Sequence, residues 1–230
     1  MRKRGRMTAD ELNSELSRDT QYQARLRQSA AHRNVVRAEE LRLLEEIRRL
    51  GAHAESLEGL IQNHAPLPAE IANALLLYLQ NNENSVLAES VARALGAAGE
   101  TFDPAPLIKL FEESTSDPLR WAIANTFAEL RPLRLASWLR SAVTDRNNGK
   151  AREMLALAVA RTLPAADACG LLRPMYVEMP GHIAKALGEC GGPVERDFLQ
   201  AKAAQESGWI LKEINDAIKR IDRRIAKLSR

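Results

Sequence analysis

Aromatic side chains are scarce in this chain, since three Trp, three Tyr and four Phe account for only 4% of its 230 residues. Runs of β-branched residues are scarce as well, and these two classes are the ones that favour strands. Ala, Leu, Arg and Glu, all good helix formers, dominate instead. With 45% hydrophobic residues the chain can bury a substantial core. We therefore expect an all-α protein.

Long apolar runs are missing too. No stretch of about 18 apolar residues is present that could span a bilayer. The basic start, MRKRGR, leads into polar residues rather than into the apolar centre of a secretory signal. We therefore expect a cytoplasmic protein with no membrane segment, and a disordered basic tail over residues 1–7.

Residues that bind metals or act as nucleophiles are few. The four histidines are widely spaced and neither an HExxH nor a CxxC motif occurs, so we predict no metal site. The two cysteines, Cys169 and Cys190, are expected to be small buried hydrophobic side chains. Nothing requires a disulfide between them, and the sequence alone does not exclude one. We predict no catalytic residue and no cofactor, and hence no enzyme.

The net charge of +3 conceals an uneven distribution. Residues 1–50 contain 12 Lys and Arg against 8 Asp and Glu, and residues 212–230 contain 7 against 3. The middle, residues 51–211, is left with 14 against 19. A basic protein is a candidate for nucleic-acid binding, but here only the two ends are basic. We therefore expect at most weak, nonspecific nucleic-acid binding by the termini.

The first part of the chain, residues 8–64, is predicted to be a charged helical segment. Thr8 followed by Glu11 has the spacing of a capping box. Residues 21–50 contain neither Gly nor Pro, and one thin apolar stripe predicts a long helix that stops at Gly51. This helix is also a candidate for self-association.

A pattern of apolar residues recurs through the rest of the chain, residues 65–230. Five nine-residue segments, 32, 32, 28 and 31 residues apart, have large apolar residues in the fifth and ninth places. They begin at Leu87, Leu119, Ala151, Met179 and Ile210. Between them lie other apolar stripes, one of them from Ala168 to Tyr176, each entered by a Pro-bearing or polar turn such as PLPAE. The sequence thus predicts about five helical hairpins, stacked because one hairpin alone cannot bury its apolar stripe.

The segment SDPLRWAIANTFAEL, Ser116 to Leu130, resembles the second helix of a HEAT repeat, with an Asp-Pro turn, an aliphatic-Arg pair and apolar-Ala spacing. Arg152 takes the place of the repeat's Arg in the next copy, whereas the last two copies have Pro180 and Leu211 there. The resemblance implies a right-handed α-α solenoid and, since most HEAT proteins are scaffolds, a binding function. Some HEAT-like hydroxylases carry His-Glu dipeptides as iron ligands, and this chain has none.

In HEAT solenoids, the face of the second helices that points away from the core lines a concave groove. A helical wheel places one row of this face at Glu89, Trp121, Glu153, Gly181 and Lys212, and the next at Arg93, Asn125, Leu157, Lys185 and Asp216. A HEAT-like family of alkylpurine DNA glycosylases has about this length and binds DNA in a basic channel. Phosphate binding favours a continuous Lys/Arg stripe, and carboxylates interrupt these rows, which argues against that activity.

A Trp on such a face, flanked by charges of both signs, is typical of an anchor for a protein partner. The predicted partner-binding residues are Glu89, Arg93, Trp121, Asn125, Glu153 and Lys185. The alternative is that Trp121 packs against the neighbouring helix or stacks on an Arg, such as Arg93 or Arg152. Trp138 is expected in the core, and Trp209 is expected to cap the open end of the stack.

The last predicted helix carries an apolar stripe from Ile210 to Leu228 with basic residues on its outer sides, as expected of a helix that covers the end of a solenoid. We predict a non-enzymatic scaffold that recognises a protein partner through its concave face. Analogy with small bacterial proteins adds two hypotheses, the regulation of an enzyme and the neutralisation of a toxin. Two other functions remain open: a nucleic-acid binder related to the glycosylases, and a self-associating structural protein.

Overall fold

The structure is a computed structural model that describes residues 8, 9, 20–62, 66–82, 85–99 and 101–228. These residues are all-helical, as expected: they form twelve α-helices and three short 3₁₀ helices. The described residues contain no β-strand, only an isolated bridge between Leu67 and Ala98. The expected basic tail, residues 1–7, and Glu11 of the expected capping box lie outside the described residues.

The helices follow one another through short loops. They are α1 (Thr20–Arg49), α2 (Leu57–Gln62), α3 (Ala69–Asn81), α4 (Ala88–Leu95), α5 (Pro106–Glu113), α6 (Asp117–Leu130), α7 (Ala136–Thr144), α8 (Ala151–Thr162), α9 (Ala165–Leu172), α10 (Pro180–Cys190), α11 (Pro193–Ala203) and α12 (Gly208–Leu228). The 3₁₀ helices span Leu133–Leu135, Arg146–Asn148 and Arg173–Val177.

The long helix α1 packs on the rest of the molecule through its second half. Three residues of that half are buried, Leu43, Leu44 and Ile47. Leu26 in the first half and Val35 near the middle of the helix are exposed. Just after the helix, Gly51 has a φ of 92°, a left-handed conformation that glycine adopts without steric cost. The predicted end of this helix at Gly51 is therefore confirmed.

The helices from α3 onward pack as consecutive pairs. Helix α3 contacts α4, α5 contacts α6, α7 contacts α8, α9 contacts α10, and α11 contacts α12. The second members of these pairs also pack in series, α4 on α6, α6 on α8, α8 on α10 and α10 on α12. One cluster of buried apolar residues runs through all the pairs and includes Leu43, Leu57 and Leu60 from the first part of the chain.

Helix α8 is enclosed on nearly every side, and ten of its twelve residues are buried. Leu157, which the helical wheel places on the groove face, is among them. Helices α6 and α10 pack on α8, and Ala156 and Ala160 have no long side chains to hold these neighbours away. The expectation that Leu157 lines an open groove is therefore wrong, because the neighbouring helices cover it.

Two arginines make the same contact at the spacing of the sequence pattern. Nε of Arg120 donates to the carbonyl oxygen of Phe111 at 3.2 Å. Thirty-two residues later, Nε of Arg152 donates to the carbonyl oxygen of Val143 at 2.8 Å. Each bond joins the start of a second helix to the end of the first helix of its pair. The Arg at this position of the repeated sequence pattern thus makes the same local contact in both copies.

The opposite ends of the second helices carry alternating charges. Arg161 of α8 lies 2.8 Å from Glu129 of α6 and 3.6 Å from Glu189 of α10. Arg220 of α12 lies 3.0 Å from the same Glu189. A row of opposite charges thus links four successive second helices.

Candidate partner-binding site

A strip of polar and aromatic side chains crosses the second helices on the face predicted to bind a partner. We define the strip as Glu89, Arg93, Trp121, Glu153, His182 and Trp209. Its members come from α4, α6, α8, α10 and α12, the five helices that pack in series. The strip is therefore built from side chains far apart in sequence that the serial packing brings together.

Trp121 is held between two charged neighbours. The guanidinium carbon of Arg93 lies 5.6 Å from the centroid of the indole ring, within the range of a cation–π contact. Arg93 also pairs with Glu89, one helical turn earlier, at 3.4 Å. On the other side, the indole Nε1 donates to Oε2 of Glu153 at 3.3 Å. Trp121 is half-buried as a result, and the alternative prediction that it stacks on Arg93 is confirmed.

Glu153 joins the tryptophan to a histidine on the next helix. Nε2 of His182 lies 3.5 Å from the same carboxylate oxygen that accepts from Trp121. Both Glu153 and His182 are half-buried. Because Glu153 contacts α6 on one side and α10 on the other, its carboxylate is held in one place. The contact with His182 is an ion pair only when the imidazole is protonated.

Trp209, at the start of α12, forms the end of the strip. Its ring lies edge-on to His182, with 5.5 Å between the ring centroids. It also covers Gly181, where an added Cβ would come within 2.1 Å of the indole. The ring therefore fills the space that a larger residue at Gly181 would occupy. Trp209 remains 55% exposed, so part of its apolar ring faces solvent.

Asn125 and Lys185 lie one turn further along α6 and α10, and both are half-buried. Leu157, at the matching position of α8, is buried between them. This second row is therefore not a continuous polar surface. The structure brings the other four predicted residues into the contacts described above and places these two beside them.

His182 and Trp209 are the strip residues that the sequence did not predict. Gly181 has the repeat position that Trp121 and Glu153 have in the earlier copies. A glycine where other copies carry a large side chain indicates that a neighbouring group fills the space, but the sequence does not show which one. The position of Trp209 depends on the path of the loop before α12. A periodic pattern of apolar residues does not indicate that path.

Two open cavities lie outside the strip. One, of about 620 Å³, is formed by loops around Pro66, Phe102 and Arg131. The other, of about 680 Å³, lies between α1 and α3 beside Glu39 and Tyr78. The residues that line them do not include any member of the strip.

The strip combines a planar apolar surface with fixed charges of both signs. Aromatic residues and Arg are enriched in protein interfaces, and fixed charges select partners with the opposite pattern. In the part of the chain that the structure describes, no group of three or more His, Cys, Asp or Glu residues is arranged to hold a metal ion. No described helix is both long enough and apolar enough to cross a membrane.

Comparisons of the chain with protein-family models, with curated proteins and with solved structures find no match. A function for the strip therefore has to be inferred from its contacts, exposure and charge.

Proposed function

We propose that the chain is a HEAT-like, right-handed solenoid of about five helical hairpins that binds a protein partner through the strip, without catalysis. The serial packing of α4, α6, α8, α10 and α12 supports the solenoid. The repeated backbone contact of Arg120 and Arg152 supports it independently. A cytoplasmic location is part of this proposal.

The setting of Trp121 is the observation that carries the binding proposal. Arg93 stacks on one side of the half-buried indole and Glu153 accepts its hydrogen bond. A ring already held by its neighbours loses little side-chain entropy when a partner binds. Trp and Arg are also the residues most often found at the energetic centre of interfaces. The proposed partner surface therefore has an apolar group for Trp121 and charges that complement Arg93 and Glu153.

Affinity purification of the tagged chain from native lysate, followed by mass spectrometry, identifies the partner. Titration of the purified partner then measures its affinity. We expect Trp121→Ala to weaken binding by about 30-fold or more, since truncation of such an anchor costs about 2 kcal/mol or more. Circular dichroism should show that the variant keeps its helices.

The matched control is Leu133→Ala, which removes an exposed apolar side chain from a 3₁₀ helix outside the strip. Its affinity for the partner should equal that of the unchanged chain. A folded Trp121→Ala variant that binds as tightly as this control would rule out the strip as the binding site. A lysate that yields only nucleic acid would rule out the protein partner.

Nucleic-acid binding is the second candidate, and the exposed face of α12 favours it. Lys212, Lys219, Arg223 and Lys227 are exposed, and they lie within about 80° of one another around the helix. Asp216 falls in the same stripe and pairs with Lys219 at 3.2 Å, which reduces the positive charge. This candidate predicts salt-dependent binding to a short duplex. The slope of the logarithm of the binding constant against the logarithm of the salt concentration should become shallower by about one for each Lys→Ala change. Lack of binding at low salt would remove it.

Self-association is the third candidate, favoured by the exposed apolar residues Leu26, in the first half of α1, and Val35, near its middle. Deletion of residues 1–50 is a poor test, because it also removes the buried residues of the second half of α1. Leu26→Glu and Val35→Glu leave that half in place. A multimer that light scattering detects in the unchanged chain but not in these variants would support this function.

A further inference from the structure

The two cysteines of the chain face each other across a helix pair. Sγ of Cys169, on α9, lies 3.4 Å from Sγ of Cys190, the last residue of α10. Both side chains are buried, with 6% and 9% of their surface exposed. A disulfide bond is about 2.05 Å long, so the two sulfur atoms need to approach by only about 1.4 Å.

The surroundings of the two sulfur atoms differ. The thiol of Cys190 can donate either to the carbonyl oxygen of Ala186, at 3.5 Å, or to the sulfur of Cys169. A hydrogen bond from Cys190 favours the thiolate of Cys169 and lowers the pKa of Cys169. The same hydrogen bond, together with burial, raises the pKa of Cys190. Cys169 is therefore the better nucleophile, and Cys190 holds its proton.

The backbone around Cys190 is fixed by contacts from two other helices. The guanidinium of Arg224, on α12, donates to the carbonyl oxygens of Gly188 and Gly191. The carboxylate of Glu195, on α11, accepts from the amide of Gly192 at 3.0 Å. These bonds lie on both sides of Cys190 and fix its backbone relative to α11 and α12.

Access to the pair is limited to small molecules. Gly170, next to Cys169, is exposed, and a Cβ added there would meet nothing within 4 Å. Because this side of α9 is open beside Gly170, we expect a molecule the size of hydrogen peroxide to reach Cys169 there. A bulky disulfide such as oxidised glutathione cannot reach a side chain of which only 6% is exposed.

We propose that Cys169 and Cys190 are a redox-active dithiol that reacts with small hydroperoxides and closes to an intramolecular disulfide between α9 and α10. The sulfur of Cys169 attacks one oxygen of hydrogen peroxide, the O–O bond breaks and water leaves, which forms a sulfenic acid on Cys169. The sulfur of Cys190 then attacks the sulfur of Cys169, and the S–O bond breaks. The second water leaves with the proton of Cys190. The two thiols are together oxidised by two electrons, and one peroxide is reduced to two waters.

Oxidation of the folded, full-length chain with hydrogen peroxide tests this site. After the reaction, the protein is unfolded, its remaining thiols are titrated and its peptides are mapped by mass spectrometry. We expect both thiols to disappear together and a peptide that links Cys169 to Cys190 to appear in the monomer. A dithiol reductant should restore both thiols. The melting temperature should rise by about 5–10 °C on oxidation, since the new bond closes a loop in the unfolded chain.

Two variants assign the roles of the two sulfur atoms. In Cys190→Ser, the sulfenic acid on Cys169 has no partner and should accumulate, so intact mass spectrometry should show the gain of one oxygen atom on this variant. In Cys169→Ser, the remaining thiol of Cys190 should react at least about tenfold more slowly, because its burial still disfavours the thiolate.

Three results would overturn the proposal. In the first, both thiols survive a peroxide dose that fully oxidises free cysteine in the same time. In the second, the disulfide forms between two chains. In the third, Cys169 proceeds to sulfinic acid without any link to Cys190. All three are read from the unchanged chain, so a variant that fails to fold leaves the conclusion standing.

Discussion

At the scale of single residues, Arg152 and Arg146 contact the same carboxylate from very different environments. Each lies 2.8 Å from an oxygen of Glu178. Hydrogen bonds, first from Arg152 and then from Arg146, lower the pKa of Glu178 below its ordinary value. The side chain of Arg152 is only 8% exposed, whereas that of Arg146 is 79% exposed. Because water replaces a lost partner at the surface but not in the interior, the two arginines should differ in their effect on stability.

We expect Arg152→Met to lower the free energy of unfolding by about 1–3 kcal/mol, because the carbonyl of Val143 loses its donor in a buried position. The control, Arg146→Met, removes the exposed partner of the same Glu178 and should change stability little. Urea unfolding followed by circular dichroism measures both variants. Equal losses would show that the burial of Arg152 does not matter.

The contacts of Trp121 show where prediction from sequence stops at this scale. A helical wheel and the 32-residue spacing are sufficient to place Trp121 and Glu153 in one row. The wheel does not choose between an exposed indole and one stacked on Arg93, because that choice depends on rotamers and on the distance between helices. Whether Trp121 binds a partner stays a prediction.

At the scale of helices, α10 and α12 meet closely at Gly188. A Cβ on this residue would lie 2.8 Å from both Cα and Cβ of Ala217 on α12. Both residues are buried, and the backbone of α12 has no flexible group there that could move aside. A glycine in the middle of a helix costs some stability, but here it allows the two helices to touch.

Gly188→Ala should therefore lower the free energy of unfolding by about 1–3 kcal/mol, since the two helices must separate to admit a methyl group. Gly170→Ala, in α9, is the matched control, because nothing lies within 4 Å of the added Cβ. That variant keeps only the gain in helix propensity and should be about 0.5–1 kcal/mol more stable. Thermal unfolding of the two variants measures both changes in stability. A Gly188→Ala variant that gains stability would mean that α12 shifts without cost.

The end of α1 was predictable because Gly51 marks it. The apolar stripe from Ala168 to Tyr176 was less informative. Helix α9 ends at Leu172, and a 3₁₀ helix containing Pro174 follows it. Proline lacks the amide hydrogen that an α-helix needs at that point. An apolar pattern over a single turn does not distinguish the two helix types.

At the scale of the whole molecule, two tyrosine hydroxyls each form a hydrogen bond with a residue far away in the sequence. The hydroxyl of Tyr78 donates to Glu39 of α1 and also bonds to Ser85 at 2.9 Å. The hydroxyl of Tyr176 donates to Glu206 at 3.2 Å. Burial is the main cause that raises the pKa of each tyrosine to about 12, and the adjacent carboxylate adds to it. Hydrogen bonds from Ser85 and Tyr78 lower the pKa of Glu39 in turn.

Ultraviolet titration of the folded protein should show two tyrosines that ionise near pH 12, whereas in urea they should ionise near pH 10. The raised pKa means that folding favours the neutral phenols. Their contribution to stability is thus complete below about pH 10 and is lost as the pH rises towards 12. Tyr78→Phe and Tyr176→Phe should each remove one late ionisation. Identical titrations of the folded and unfolded protein would contradict this expectation.

The all-α class was predictable because helix formers and the 3.6-residue period agree along most of the chain. The covering of the groove face of α8 by neighbouring helices was not predictable. It depends on how tightly neighbouring helices approach one another, and the sequence pattern of each helix is the same in an open and in a closed arrangement. Leu157 has the position of a groove residue by periodicity, and its burial follows from the tertiary packing alone.

Because α6, α7 and α10 all pack on α8, its amides have no nearby solvent to exchange with unless much of the molecule opens. Their hydrogen exchange should therefore be governed by global unfolding, whereas the exposed first half of α1 should exchange through local fraying. Helix α8 is then a rigid link between the helix pairs on its two sides. A partner that displaces the pairs on one side of α8 would therefore also move those on the other side.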